Sequence, residues 1–416
     1  MSLRSSRWTG VFAALWAAAV PIGAAAGPGN GIRLGGADGR LHPYLELESR
    51  WDSNVLFEAG QPSSGLFLHV RPGLNLTYPS DKVAVEADAR LDWQKSITDG
   101  SPDLTQLFAE AHLGVDVNRK GVVGLQLTDE FQRTADNSSL TFGSAVVSSH
   151  NTLDLALGWR PGGGALEVTG TGTWLTEAFE PYGSCNAGDP PNASCDTARL
   201  KRLGYDEYRA GLEAKWRFLP RTALLVDGSW TTRKPNDTTE SPPFTGWRAG
   251  AGFQGLVTAN LAATLRGGWG SANTEGGGGI STWLARAEVE WIPTLTASAR
   301  LGYVHDWGGD PGQPFALYTT SRVYLDGKAL LAGRWSLAVG GQYEYLDYQL
   351  VGGTSGIFRF EPSADYEVAR WLTVGVGYAW TSRNVGGFEN AYPGFPTQFA
   401  YDFSKNELWL RARGTY

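Results

Sequence analysis

At residues 82–94 the polar side chains come at alternate positions: Lys82, Glu86, Asp88, Arg90, Asp92 and Gln94 interleave with Val83, Val85, Ala87, Ala89, Leu91 and Trp93. Successive side chains of a β-strand point to opposite faces, so this segment has one ionic and one apolar face. The same rule puts Arg71, Arg160, Arg209, Arg217, Arg248, Arg266, Arg286, Arg300, Arg322, Arg359, Arg411 and Arg413 on ionic rows elsewhere. Glu110, His112, Asp116, Glu213, Asp227, Glu288, Glu290, Glu344, Asp365 and Glu367 share those rows. So many charges on one face need water, and two kinds of chemistry are open to them. Cross-strand ion pairs, each weak in a high dielectric, keep a wall hydrated and exclude lipid. Alternatively, guanidinium groups beside aromatics such as Tyr324 and Trp409 form a track for sugars or anions, because planar Arg donors suit carboxylate and phosphate. The signs interleave without a single-sign ladder, which favours the first kind.

Signals for catalysis are poor. The five histidines, His42, His69, His112, His150 and His305, are scattered, and neither a Gly-x-Ser-x-Gly elbow nor a His-x-x-x-His pair occurs. His112 lies near Glu110 and imitates half of a catalytic pair, but it reads as a solvated residue of the ionic row. Residues 162–164 and 276–279 are glycine-rich without the Lys-Ser/Thr and helix of a phosphate loop, so they read as a turn and a loop. No enzyme, cofactor or metal is expected. Cys185 and Cys195 are the only cysteines, in a Pro-, Gly- and Asn-rich stretch, and the expectation is a disulfide that pins that loop.

The elements that position these rows are strands. Leu107, Ala109, Ala111, Leu113, Val115 and Val117 form one apolar row, and Tyr208, Ala210, Leu212, Ala214, Trp216 and Phe218 another. Tight turns fall near 79–81, 119–121, 161–164, 220–221, 259–260, 293–294, 333–334 and 369–370. Longer connections fall at 52–64, 96–103, 134–148, 180–202, 235–245, 271–279, 308–315, 349–355 and 384–398. That pattern predicts 18 strands, or 16 if the weakly patterned segment 316–331 is not a strand. Trp283 and Trp291, like Tyr208 and Trp216, stand eight residues apart on the apolar row. At ~3.3 Å per residue and a tilt of ~40° they project to roughly 20 Å along a membrane normal, close to the apolar band of a transmembrane barrel. A soluble sandwich would need a buried partner for every apolar row, whereas here the opposite row is charged throughout.

The expected fold is therefore an all-β transmembrane antiparallel up-and-down barrel with an aqueous lumen, both termini on the periplasmic side. No segment is long enough for a plug, although the 180–202 loop could fold inward. Arg4 and Arg7, the apolar run 11–22 and Ala24 to Ala26 read as a signal peptide over 1–26. Residues 27–42 then form a short periplasmic segment and 43–416 the barrel. Beyond the leader no run approaches 18 apolar residues, so a span across lipid requires a closed sheet. Removing the leader's two arginines takes the net charge from -7 to -9, which argues against nucleic acid as a partner.

Residues 51–57 (Trp-Asp-Ser-Asn-Val-Leu-Phe), 66–74 (Leu-Phe-Leu-His-Val-Arg-Pro-Gly-Leu) and 357–362 (Ile-Phe-Arg-Phe-Glu-Pro) carry a resemblance. The chain resembles the outer-membrane β-barrel porin proteins found with exopolysaccharide gene clusters. It is also similar to barrels of about 18 strands that pair with short periplasmic polysaccharide-export proteins. Leu408, Leu410, Ala412, Gly414 and Tyr416 resemble the C-terminal signal by which the barrel-assembly machinery inserts such proteins, with Tyr where Phe is commoner. The resemblance implies outer-membrane lipid as the surroundings, a periplasmic export protein as partner, and a channel that exports polysaccharide. A general diffusion or nutrient-uptake porin is the alternative, and an adhesin or outer-membrane enzyme the alternatives of another class.

Overall fold

A computed structural model describes residues 29–34, 38–57, 62–98, 104–136, 145–183, 196–312, 317–387 and 402–416. The expected signal peptide and both cysteines lie outside the described residues. The strands are β1 (Arg40–Asp52), β2 (Gly65–Tyr78), β3 (Val83–Ser96), β4 (Gln106–Val117), β5 (Val123–Asp136) and β6 (Val146–Trp159). Next come β7 (Leu166–Pro181), helix α1 (Thr197–Leu203), β8 (Tyr205–Leu219), β9 (Thr222–Pro235), β10 (Phe244–Thr258), β11 (Leu261–Thr274) and β12 (Gly279–Thr294). The last are β13 (Ala297–Gly308), β14 (Tyr318–Leu331), β15 (Trp335–Tyr348), β16 (Gly353–Ala369), β17 (Leu372–Gly386) and β18 (Phe403–Thr415).

Each strand pairs antiparallel with its neighbour in sequence, and β18 returns to β1 through nine aligned pairs, from Glu407 opposite Asp52 to Thr415 opposite Tyr44. The sheet is thus a closed barrel of 18 long strands among the described residues. β1 begins at Arg40, slightly ahead of the expected 43, because Arg40 and Leu41 pair with Arg33 and Ile32. Segment 316–331 does supply β14, so 18 strands and not 16 close the ring.

The connectors follow the expected alternation with three adjustments. β12 runs through Pro293, and the turn falls at Leu295 and Thr296; the proline is accommodated at a register shift between Trp291 and Thr294, where its missing N–H costs nothing. The expected longer connections 271–279 and 349–355 are tight turns at 275–278 and 349–352. Between β14 and β15, Ala332 and Gly333 take φ of 50° and 68°, the left-handed pair whose twist suits a short hairpin.

The apolar row points outward. Leu91, Trp93, Leu107, Leu157, Leu212, Val226, Leu301, Val323, Leu408 and Leu410 are all exposed, an arrangement stable only against hydrocarbon. Exposed Trp51, Trp93, Trp174, Trp230, Trp247, Trp269 and Trp283 sit toward the long-loop ends of their strands, and Trp159, Trp216, Trp291 and Trp335 toward the short-turn ends. Two aromatic levels result, as interfaces require. Asp129 breaks the pattern on the outward row of β5, where its Oδ1 accepts from Asn151 Nδ2 at 3.1 Å.

On the inner face a charged network ties the closing seam. Lys405 Nζ of β18 lies 2.7 Å from Asp52 of β1, and Arg50 of β1 lies 3.3 Å from Glu407 of β18. Arg50 also meets Glu48 at 2.8 Å, and Arg71 of β2 holds Glu46, Glu48 and Asp92 at 2.9, 2.7 and 2.8 Å. Glu48 is only 1% exposed, so these charges are desolvated and must stay paired. Removing one partner of such a pair costs about 3–5 kcal/mol. Lys405→Ala and Arg71→Ala are each expected to lower the urea midpoint at which the detergent-folded, heat-modifiable species unfolds, and an unchanged midpoint would contradict a clamping role.

Candidate functional site

The alternation sends the sequence-predicted ionic residues of the strands to the face opposite the exposed apolar row. Most meet a partner there. Arg90 pairs with Glu110 at 2.7 Å, Arg217 with Glu167 at 2.9 Å, and Arg266 with Glu213 and Asp227 at 2.8 and 3.4 Å. Arg286 lies 3.3 Å from Glu288, and Arg300 lies 3.6 Å from Glu290. Arg248 holds Asp306 at 2.8 Å, and Arg411 holds Asp365 at 2.6 Å. Arg209 pairs with Glu207 and Arg359 with Glu361. His112 meets Glu130 at 3.5 Å, across the strand from the Glu110 that sequence proximity suggests. Arg160 lies just past β6 at the short-turn end, 2.9 Å from Glu167.

The inner aromatics lie flat on the wall, over glycines that leave them room. Tyr324 lies over Gly302, and its hydroxyl donates to Glu288. Trp409 lies over Gly377 with Arg50 5.2 Å from its ring, and Tyr44 lies over Gly73 beneath Arg413 at 3.8 Å. Sequence reasoning left out Tyr44, Glu46, Glu48, Arg50 and Asp52, although their alternation with Leu45, Leu47, Ser49 and Trp51 carries the same signal as residues 82–94.

Adding the inner-row charges strand by strand brings out a separation that the list of ionic residues conceals. The inner rows of β3 to β7 carry Glu86, Asp88, Asp92, Glu110, Asp116, Glu130, Asp154, Glu167 and Glu177, and one arginine, Arg90. Those of β8 to β14 carry Arg209, Lys215, Arg217, Arg233, Arg248, Arg266, Arg286, Arg300, Arg322 and Lys328, most of them neutralised by neighbouring carboxylates. Glu86, Asp88 and Asp116 form no ion pair among the described residues. One sector of the wall is therefore acidic and under-neutralised, and it adjoins a sector richer in cations.

At the long-loop mouth the chain turns inward. Leu200 and Leu203 of α1 are buried against Val146, Leu175, Phe179 and Tyr205, which the register places on the inner face. The Asp196 carboxylate caps α1 by accepting from Arg199 N at 2.9 Å, and Glu240 of the β9–β10 connection braces it through Arg202 at 2.9 Å. In that connection two hydrogen bonds from Thr239 hold the Asp237 carboxyl below its ordinary range. Just beyond β7, Tyr182 reaches round the ring to accept from Gln94 Nε2 of β3 at 3.0 Å, and burial pushes its hydroxyl up to about 12.

The β13–β14 connection also crosses inward. Trp307, near the end of β13, is buried among Phe244, Ala272, Ile280 and Leu317. Arg233 of β9 donates to the carbonyl of Gly309 at 3.1 Å while it pairs with Glu207 at 2.8 Å. Its guanidinium stacks on Tyr205 at 3.9 Å and Phe244 at 4.7 Å. A charge so enclosed is held only by these partners, so Arg233 pins the connection to β9. Arg233→Ala is expected to free it and to raise single-channel conductance severalfold in planar bilayers; unchanged conductance in a folded variant would contradict the latch.

Three solved outer-membrane proteins are similar to this chain. OpdK, an outer membrane protein from Pseudomonas aeruginosa, is similar at 12% identity over 90% of this chain and 99% of its own, with a TM-score of 0.44. OccK3 of the same organism is similar at 12% identity over 90% and 96%, with a TM-score of 0.45. A loop-deletion mutant of OmpT from Vibrio cholerae is similar at 12% over 91% and 99%, with a TM-score of 0.38. None of the curated proteins matches the chain. The family model described as "Putative beta-barrel porin 2" matches residues 28–392, which supports an outer-membrane location. The chain belongs to that family of β-barrel porins.

Proposed function

We propose that this porin lets small hydrophilic solutes diffuse across the outer membrane and prefers cations. The observation that carries the proposal is the under-neutralised sector of Glu86, Asp88 and Asp116, set in a wall whose arginines are largely occupied. Carboxylates in a water-filled lumen with low-dielectric walls raise the local concentration of counter-ions and lower that of anions.

Export of polysaccharide with a periplasmic export protein, the reading implied by the sequence resemblance, finds less support. A polymer track needs free ring faces, whereas Arg413 covers the ring of Tyr44, Arg50 faces Trp409, and the Tyr324 hydroxyl is engaged by Glu288. The inward-packed connections also suit small solutes better than a continuous chain.

The test is the reversal potential of the reconstituted protein across a KCl gradient. Potassium is expected to permeate faster than chloride, and the combined change Glu86→Gln, Asp88→Asn and Asp116→Asn should move the potential toward zero. Chloride selectivity would overturn the proposal. Loss of surface polysaccharide from a deletion strain, with little effect on small-solute uptake, would favour export instead.

A further inference from the structure

We infer that a chamber at the long-loop mouth binds small organic cations; the inference rests on the porin reading above and gives it a solute class. The chamber encloses about 210 Å³. Glu177 and Tyr205 reach it from β7 and β8, Asp310 from the β13–β14 connection, and Tyr318, Glu344 and Tyr348 from β14 and β15. A solute on the inner side of the ring therefore meets acids and rings brought together from two stretches of wall. No basic side chain is among the described residues that line it.

Two observations point to the ligand. The acids are preorganised as acceptors. Glu177 takes hydrogen bonds from Tyr205 and Ser148, the latter at 3.0 Å, with His150 3.7 Å away, and Glu344 accepts from Thr320 at 2.9 Å. Beside these acids, the protein already seats a cation of its own in the adjoining niche. Arg233 lies between the rings of Tyr205 and Phe244 with Glu207 at 2.8 Å, and Tyr205 also lines the chamber. Aromatic faces with carboxylates favour a weakly hydrated organic ammonium over a strongly hydrated inorganic ion. The chamber has room for a group of that kind next to the one the chain supplies itself.

The probe is choline, added to the full chain conducting in planar bilayers in KCl, with 3,3-dimethyl-1-butanol as its uncharged isostere. Choline is expected to reduce the potassium current saturably and the isostere to leave it unchanged. Glu344→Gln and Tyr318→Leu should each raise the half-blocking concentration roughly tenfold. Where a variant fails to fold, the pair of probes on the unaltered chain still decides. No block, or equal block by both probes, in a channel that conducts and selects potassium would overturn the chamber and leave the porin reading standing. A folded chain that conducts nothing would overturn both.

Discussion

A strand edge in hydrocarbon leaves backbone N–H and C=O groups without water or partner, at several kcal/mol each, so a sheet can cross a membrane only if it has no edge. The β18–β1 seam is where this chain satisfies that demand. Closure makes one face a continuous outside and the other a continuous inside, and the two-residue period of every strand then sorts side chains between lipid and water. The seam is reinforced on the water side by Lys405, Asp52, Arg50 and Glu407, where desolvation makes each charge dependent on its partner. Loss of closure would expose backbone and charge together.

The inner wall separates two uses of charge. Near the seam, buried groups such as Glu48 and Arg71 are structural, because they cannot be left unpaired. Farther round, pairs such as Arg286 with Glu288 are water-exposed and contribute little to stability, so their placement is open to selection for what passes the lumen. Glu86, Asp88 and Asp116 of the acidic sector belong to this second kind. The mouth adds size to charge: α1 and the β13–β14 connection are folded against inner-face residues, which a wet wall permits only where it is locally apolar, as at Phe179, Phe244 and Trp307.

Much of this was legible in the sequence, because a period of two is a local property. Residues 82–94 display it without ambiguity, and strand number followed from the connectors. Where turn chemistry misled, as at Pro293, a register shift had absorbed the proline that seemed to mark the turn. What escaped lay in sums over several strands and in contacts between residues far apart in sequence. The acidic and cation-rich sectors emerge when the charges of neighbouring strands are added together, although β3 to β7 are contiguous in sequence. The role of Arg233 depends on Gly309, 76 residues away, which no local pattern announces. Asp129 escaped for another reason: it occupies an apolar-row position and is tolerated beside Asn151.

The central claim is that apolar rows face lipid and ionic rows face water around a closed ring. Single cysteines placed in turn at positions 83–94 of a variant in which Cys185 and Cys195 are replaced by serine, each carrying a spin label, test it most directly. Labels at 83, 85, 87, 89, 91 and 93 should collide preferentially with oxygen dissolved in the bilayer, and labels at 84, 86, 88, 90, 92 and 94 with a water-soluble nickel chelate. Accessibility that fails to alternate, or that alternates in the opposite phase, would contradict the account.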